Sequence, residues 1–333
     1  MALGTDRGRE PAHAFSAGGC SVAVWTIGAR EETSSTQGED RHHLPGVPGR
    51  PSGTDGSDPG CGAAGRPFVY LHVYDGGGAD VAEALEGIGC VPCTLVAVKP
   101  ACWNDDMTPW ECPGLFAGDA PFAGHAECQL HLLEREIIPR AEALVRAPVA
   151  APAKLTAETL AQTRPANPSP IALADPGDPD APDGARPSFT GPAEPDGARP
   201  QRIIAGYSLA GLFAIWAQAR SAAFDRVASA SGSLWYPGFA RFVRESAMTR
   251  PPECAFVSLG KKETKTPSRL LRNVAQGTDE VVTALREKGI PTRFALNPGN
   301  HFKEPALRMA RGIAWCASWP DVARDSADKA PRP

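Results

Sequence analysis

The chain has 333 residues, of which 42% are hydrophobic and 22% are charged, and it carries a formal net charge of -4. This is the composition of an ordinary globular protein, and a slightly acidic chain lacks the positive field that draws proteins to nucleic acid or to anionic membranes. No run of about 18 apolar residues occurs, so no membrane-spanning helix is expected.

Glycine and proline are unusually frequent, at 34 residues each, and the excess is concentrated in two stretches. Residues 1–66 are interpreted as a partly disordered leader with one short strand at 20–27. Residues 147–200 hold 12 of the prolines and repeat the hexapeptide PDGARP, which predicts a disordered low-complexity insertion. The remainder, 67–318, is predicted to form one domain around that insertion, followed by a tail at 319–333.

The N-terminus and the nine cysteines bear on the compartment. The first 19 residues lack the basic start and continuous apolar core of a secretory signal, so a cytoplasmic location with reduced thiols is expected. Cys90 and Cys93 form a CxxC pair, but no second pair at zinc spacing accompanies them. We interpret them as structural thiols, and no metal is predicted.

In chain order, the domain alternates short apolar runs with segments of helical periodicity. The predicted strands are 67–74, 94–98, 202–205, 227–231, 255–259 and 292–296. The predicted helices are 79–87, 124–146, 209–220, 239–245, 278–288 and 304–318. Strands that alternate with helices predict an α/β fold with a doubly wound, mostly parallel sheet flanked by helices.

One of these strand-to-helix junctions has the sequence Gly-Tyr-Ser-Leu-Ala-Gly, with Ser208 at its centre. A serine in a tight turn between an apolar strand and an apolar helix is typical of the nucleophile elbow of α/β-hydrolases. The usual motif is GxSxG, and here Ala210 stands at the second glycine position. Because alanine has the smallest side chain after glycine, the turn should tolerate this variant of the motif. Ser208 is therefore the predicted nucleophile.

A serine nucleophile needs a base and usually a carboxylate that orients the base, in the chain order Ser, acid, His. His301 is the one histidine of seven that follows a late predicted strand in a tight loop. Glu263 follows the strand predicted between Ser208 and His301, and it is the candidate acid. Asp279 is the alternative acid, but it falls in a predicted helix, and a Ser–His pair without an acid is the third alternative left open.

The oxyanion hole of this fold takes one backbone N–H from the residue after the nucleophile and one from the loop after an early strand. Leu209 supplies the first donor. The second is predicted at Gly76 or Gly77, where a run of glycines follows the first strand of the domain. No GxGxxG motif after a strand and no Walker-type lysine occurs, so no nucleotide cofactor is expected.

Three tryptophans fall in loops that this topology places at the carboxyl edge of the sheet, where ligands bind. Trp103, Trp110 and Trp235 are therefore candidates for the walls of a substrate pocket. Packing over the end of the sheet is an equally good interpretation of all three.

Several motifs together carry a resemblance to a known family. They are WNDDMTPW at 103–110, IIP at 137–139, GYSLAGLF at 206–213, SGSLW at 231–235 and NPGNHF at 297–302. Over about 67–146 and 200–316 the sequence resembles the esterase family of α/β-hydrolases that includes esterase D-like enzymes and enterobactin-type siderophore esterases. The resemblance implies an α/β-hydrolase fold and hydrolysis of a carboxylic ester, with Ser208 as nucleophile and His301 as base.

The sequence thus predicts a serine esterase that acts on a small-molecule ester without a cofactor. Two alternatives stay open at this point. One is an acyltransferase that uses the same acyl-enzyme with an alcohol acceptor. The other is a non-catalytic binding protein of the same fold, in which the proline-rich insertion serves as an interaction segment.

Overall fold

The structure is a computed structural model that describes residues 10–28, 65–116, 118–146 and 199–320. Met1–Glu142 and Pro200–Pro333 form one compact unit, and Ala143–Arg199 form a second unit, of which only 143–146 and 199 are described. The insertion predicted at 147–200 therefore lies almost wholly outside the described residues. The same holds for most of the predicted leader and tail.

The main unit is built on one eight-stranded sheet with the order β1-β2-β4-β3-β5-β6-β7-β8. Strand β2 pairs antiparallel with β1 and β4, and all the other pairs are parallel. The strands are β1 (His13–Ala17), β2 (Cys20–Ile27), β3 (Phe68–His72), β4 (Cys93–Lys99), β5 (Arg202–Tyr207), β6 (Arg226–Ala230), β7 (Cys254–Gly260) and β8 (Thr292–Asn297). The predicted mostly parallel sheet is confirmed.

Helices cover both faces of this sheet. They are α1 (Ala79–Gly87), α2 (Trp103–Asp106), α3 (Ala126–Leu132), α4 (Ile138–Arg146), α5 (Leu209–Arg220), α6 (Phe239–Glu245), α7 (Arg269–Arg272), α8 (Val274–Glu287) and α9 (Pro305–Ala317). Apolar residues of α3, α5, α6 and α8 form the core on one face, and those of α1 and α9 form the core on the other. The doubly wound arrangement is therefore confirmed.

The sheet begins earlier in the chain than the boundary predicted at residue 67. Strand β1, which the sequence analysis did not predict, forms a hairpin with β2, and β2 then pairs along its whole length with β4. The two hairpin residues, Gly18 and Gly19, both have positive φ, of 50° and 80°. A Gly-Gly pair between two short strands is a recognised hairpin signal, so the sequence does contain a signal for β1.

The helix predicted over 124–146 is observed as α3, a π-helical turn at Leu133–Ile137, and α4. The other predicted helices and strands are present, with ends that differ by a few residues. The parallel strands β5, β7 and β8 end at Tyr207, Gly260 and Asn297, so the loops that follow them lie at the same edge of the sheet.

Candidate active site

Ser208 occupies a strained turn between β5 and α5. Its backbone has φ 59° and ψ −125°, a region that residues with a side chain rarely adopt. The turn depends on a small residue at Gly206, because a Cβ at that position would collide with the Ala210 carbonyl oxygen. Ala210 itself is fully buried, so the alanine in place of the usual glycine is accommodated within a sharp elbow.

Glycine is also needed where the elbow packs against the next strand. A Cβ added to Gly211 would lie 2.8 Å from the Ser229 hydroxyl and 2.9 Å from the Cα of Gly232. The Ser208 carbonyl accepts the Ser233 N–H at 2.9 Å, which ties the elbow to the loop after β6. These close contacts hold the serine at the carboxyl edge of the sheet.

His301 lies between Ser208 and Glu263. Its Nε2 is 3.1 Å from the Ser208 Oγ, and its Nδ1 is 2.9 Å from Glu263 Oε2. An ionised carboxylate only accepts hydrogen bonds, so the pairing with Glu263 places the proton on Nδ1 and leaves Nε2 free to accept from the serine hydroxyl. This is the tautomer that a general base requires.

Glu263 is buried, with only 3% of its side chain exposed. Oε1 accepts hydrogen bonds from the Gly260 N–H at 2.6 Å, from the Ser231 hydroxyl at 2.8 Å and from Arg308 at 3.3 Å. Burial by itself raises the pKa of this carboxyl, but the hydrogen bonds from His301, Ser231 and Gly260 outweigh burial and hold the pKa below its usual value. Glu263 is therefore ionised at neutral pH.

The alternative acid, Asp279, lies on the exposed side of α8. The Nδ1 contact of His301 is made by Glu263 instead. The structure thus brings together Ser208, His301 and Glu263 in the order that the sequence analysis expected.

A cleft of about 750 Å³ opens in front of Ser208 and His301. Part of its wall is apolar and consists of Leu115, Phe122, Leu209, Trp235, Leu271 and Val274. Two lysines, Lys262 and Lys265, line the cleft on the loop that carries Glu263, and Asp119 is a further acidic residue of the lining. Both lysine side chains are exposed, and within the described parts of the chain neither lies within salt-bridge distance of a carboxylate.

The three tryptophans that were candidates for the walls of the substrate pocket have different surroundings in the structure. Trp235 lines the cleft and packs against Phe122. Trp110 packs instead on Tyr236, Phe239 and Phe242, and its indole N–H donates to the Pro237 carbonyl at 3.0 Å.

Trp103, the first residue of α2, stacks edge-on against Tyr74 with the ring centres 5.4 Å apart. Of the three tryptophans, Trp235 is the one among the cleft-lining residues. For Trp110 the packing interpretation fits the observed contacts.

The residues predicted as oxyanion donors lie in two different places in the structure. Leu209 lines the cleft directly after Ser208. Gly76 and Gly77 lie against a different recess, together with residues of β1 and β2, and the Gly77 carbonyl accepts the indole N–H of Trp25 at 2.9 Å. β3 and β5 are paired as far as His72 and Gly206, so Ser208 stands two residues beyond the last pair, whereas the run of glycines begins four residues beyond it.

The CxxC pair lies at the opposite end of β4 from this edge of the sheet. Cys93 is the buried first residue of β4, and Cys90 is partly buried in the turn before it. The hydrogen bond with Cys90 and burial both raise the pKa of the Cys93 thiol, which keeps it protonated. Within the described residues, no group of three or more His, Cys, Asp or Glu side chains is arranged to hold a metal ion. No helix in the described part of the chain is both long and apolar enough to cross a membrane.

Comparison with known proteins gives the fold. The structure is similar to two Aspergillus nidulans proteins, the siderophore hydrolase EstA (TM-score 0.56, 13% identity, 95% of this chain and 97% of EstA) and the siderophore hydrolase EstB (TM-score 0.52, 14% identity, 96% of this chain and 98% of EstB). At this level of identity the likeness establishes the α/β-hydrolase fold, which the sequence analysis predicted.

Sequence comparison adds little to this. An 85-residue segment, 25% of the chain, is 31% identical to the uncharacterized protein YbbA of Bacillus subtilis (strain 168) and spans 34% of that protein. No family model matches the sequence.

Proposed function

We propose that this chain is a serine esterase that cleaves a carboxylic ester through an acyl-enzyme intermediate. The observation that carries the proposal is the hydrogen-bonded series from Glu263 through His301 to Ser208, which ends on a strained serine facing a cleft. Nucleophile, base and orienting acid are what acyl transfer from an ester requires.

The reaction follows from these contacts. The Ser208 oxygen attacks the ester carbonyl carbon while its proton passes to His301 Nε2, and ionised Glu263 stabilises the imidazolium that results. When the tetrahedral intermediate collapses, the alkoxide leaves with the proton from Nε2. Water then attacks the acyl-enzyme by the same route in reverse, releases the carboxylic acid and regenerates the serine.

The oxyanion that forms in both steps needs two N–H donors. Leu209 N–H, directly after the nucleophile, is the first. We assign the second to the backbone N–H of Tyr74, because continuing the β3–β5 register by two residues from the pair His72–Gly206 sets Tyr74 level with Ser208. Tyr74 belongs to the loop after β3, from which this fold takes its second donor.

The walls of the cleft indicate what kind of ester fits. Its apolar side, which includes Phe122 and Trp235, suits an aliphatic or aromatic group. Lys262 and Lys265 favour a substrate that also carries negative charge near the ester. EstA and EstB are named siderophore hydrolases, so a siderophore ester is a further candidate for this chain.

The proposal is tested by reaction with a fluorophosphonate probe and with 4-nitrophenyl esters of graded acyl length. We expect the probe to label Ser208, located by mass spectrometry of the digested protein, and 4-nitrophenolate to be released catalytically. A protein that neither reacts with the probe nor hydrolyses any ester would be the non-catalytic binding protein instead.

The same assay distinguishes an acyltransferase from an esterase by the product that is released. Addition of a primary alcohol such as glycerol diverts part of the acyl-enzyme to a new ester in any serine esterase, but water remains an acceptor. We expect the free acid to be the main product. An acyltransferase would release almost no free acid until an alcohol acceptor is present.

A further inference from the structure

Arg308 is a buried arginine directly behind the proposed acid. It lies in α9, and only 2% of the residue is exposed. Its guanidinium donates hydrogen bonds to four groups from different parts of the site. They are Glu263 Oε1 at 3.3 Å, the Ser231 hydroxyl at 3.2 Å, the Tyr207 hydroxyl at 3.3 Å and the Pro298 carbonyl at 2.7 Å.

A buried guanidinium must be compensated, because removing a charge from water costs several kcal/mol. Among the described residues, Glu263 is the carboxylate within salt-bridge distance of Arg308. The same carboxylate faces His301 through its other oxygen. Glu263 therefore lies between two cationic partners, one permanently charged and one that becomes charged during the reaction.

Arg308 also reaches the loop that carries His301, by two routes. Directly, it donates to the carbonyl of Pro298. Indirectly, it donates to the hydroxyl of Tyr207, which in turn donates to the His301 carbonyl at 2.6 Å. The Tyr207 ring lies against the imidazole, with the ring centres 5.3 Å apart. One guanidinium is thus connected to the acid, to the base loop and to the residue just before the nucleophile.

The backbone at Gly260 leaves room for the ion pair between Glu263 and Arg308. A Cβ added to Gly260, the last residue of β7, would lie 2.7 Å from Glu263 Oε1 and 3.0 Å from Arg308 Nη1. The Gly260 N–H meanwhile donates to the same Glu263 oxygen at 2.6 Å. The close approach of carboxylate and guanidinium therefore requires glycine at the end of this strand.

We propose that Arg308, assisted by Tyr207, is a positioning residue that holds Glu263 and the His301 loop in the correct place relative to Ser208. Its positive charge also offsets part of the negative charge that Glu263 presents to His301. This inference rests on the proposed esterase function. It assigns a role in catalysis to a side chain that touches neither the substrate nor the reacting atoms.

The electrostatic consequence has a definite sign. The negative charge of Glu263 favours the protonated imidazole, and the positive charge of Arg308 partly cancels it. Removing the charge of Arg308 should therefore hold His301 protonated to higher pH and move the acid limb of kcat/KM upward. The other titratable groups on the surrounding loops are Lys261, Lys262, Lys265, Lys303 and Glu304, which are exposed, and Tyr207. Of these groups, Tyr207 is the one that contacts Arg308 directly, which is why Tyr207→Phe is measured beside the Arg308 variants.

The decisive comparison uses Arg308→Met, Arg308→Lys and Tyr207→Phe, with kcat and KM measured from pH 5 to 9. For Arg308→Met we expect kcat to fall at least about tenfold with little change in KM, and the midpoint of the acid limb to rise by roughly one pH unit. Arg308→Lys keeps the charge, so its midpoint should stay near that of the wild type while kcat falls. Tyr207→Phe should lower kcat without moving the midpoint.

Arg226 offers a matched control. It is also a fully buried arginine, it pairs with Glu253 at 2.8 Å and donates to the Cys316 carbonyl at 2.8 Å, but it is the first residue of β6 and so belongs to the opposite edge of the sheet. Arg226→Met should lower the melting temperature and leave the pH midpoint unchanged. An Arg308→Met variant that behaves in the same way would overturn the proposal, because Arg308 would then be merely structural.

Further measurements keep the proposal testable if the main variant does not fold. If Arg308→Met does not fold, unchanged kcat in both Arg308→Lys and Tyr207→Phe would refute the positioning role. The NMR titration of His301, followed in wild type and Arg308→Lys or Arg308→Met, gives a readout that does not need turnover. A wild type without esterase activity would refute the proposed function, whereas a His301 midpoint that ignores Arg308→Met would refute this inference alone.

Discussion

The Ser231 hydroxyl donates a 2.8 Å hydrogen bond to Glu263 Oε1 from a backbone with φ 46°. A positive φ is unfavourable for serine, and such positions persist where the surrounding structure enforces them. Ser231 follows β6 directly and lines the same cleft as Ser208. Glu263 is thus held from the end of β6, which lies between β5, followed by Ser208, and β7, followed by Glu263.

Ser231→Ala should therefore weaken catalysis without abolishing it. Glu263 would keep its hydrogen bonds from Gly260 and Arg308, so we expect kcat to fall by roughly ten- to a hundredfold, since one hydrogen bond to a charged group contributes about 1.5–3 kcal/mol. Its pKa would move up toward the ordinary carboxyl value. Ser229→Ala, two residues earlier on β6, is the control, because the buried Ser229 hydroxyl lacks a hydrogen-bond partner among the described residues. Equal kcat values for the two variants would contradict the prediction.

Replacing Ser208 separates chemistry from backbone strain. Ser208→Ala should remain folded and lose about 10⁶ in kcat, as nucleophile removal does in serine hydrolases. Ser208→Gly should be equally inactive but more stable than Ser208→Ala by about 1 kcal/mol, because glycine adopts φ 59° and ψ −125° without strain. Urea unfolding monitored by tryptophan fluorescence measures the difference. A glycine variant less stable than the alanine variant would show that the elbow is not strained.

That Ser208, His301 and Glu263 lie together could be predicted from the sequence because each has a local signature. Ser208 lies in a small-residue turn between an apolar strand and an apolar helix, and Glu263 and His301 each follow a late strand. In a parallel sheet the carboxyl ends of strands lie at one edge, so chain order and strand ends bring such residues together. The alternation of apolar strands with helices is likewise a local pattern, so the mostly parallel sheet could also be predicted.

Arg308 and Ser231 carry no such signature. An arginine in an amphipathic helix such as α9 resembles an ordinary surface residue, and only the packing of α9 beneath the site buries it. The predicted oxyanion glycines are displaced for a related reason. The glycine run begins four residues after β3 ends at His72, whereas Tyr74 is only two residues from that end. Registers between strands distant in sequence decide such positions, and sequence patterns do not reveal them.

His72 predicts how stability depends on pH. It is fully buried in β3, its Nε2 is 3.1 Å from the Gln129 amide nitrogen, and burial lowers its pKa to about 3. The unfolded chain takes up a proton on this histidine below its ordinary value of 6.5, whereas the folded protein does so only near pH 3. The free energy of unfolding should therefore decrease as pH falls from 6.5 toward 3.

The test compares the pH dependence of unfolding in the wild type and in His72→Gln. Between pH 7 and pH 5 the wild type should lose about 2 kcal/mol more than the variant, since one pKa unit corresponds to about 1.4 kcal/mol. Replacing the exposed His125 by glutamine serves as the control and should leave the dependence close to that of the wild type. Parallel curves for wild type and His72→Gln would mean that His72 can be protonated without unfolding the protein.

The lysines of the cleft predict a preference among esters of equal size. 4-Nitrophenyl butyrate and mono-4-nitrophenyl succinate share a leaving group and an acyl chain length, but only the succinate carries a carboxylate. With Lys262 and Lys265 at the cleft, the double variant Lys262→Gln/Lys265→Gln should lower kcat/KM for the succinate by about three- to tenfold. Its kcat/KM for the butyrate should stay within about twofold of the wild type, because the butyryl group has no charge that could pair with the lysines.

Lys261 is the matched control, since it is adjacent in sequence and exposed but is not among the residues that line the cleft. Lys261→Gln should change the rate of neither ester, and added salt should reduce the preference of the wild type because exposed charges are screened. A second pair, phenyl acetate and 4-acetoxybenzoate, places the carboxylate on the alcohol side instead. If the double variant treats both pairs as the wild type does, the two lysines do not contact the substrate and the cleft selects by its apolar wall alone.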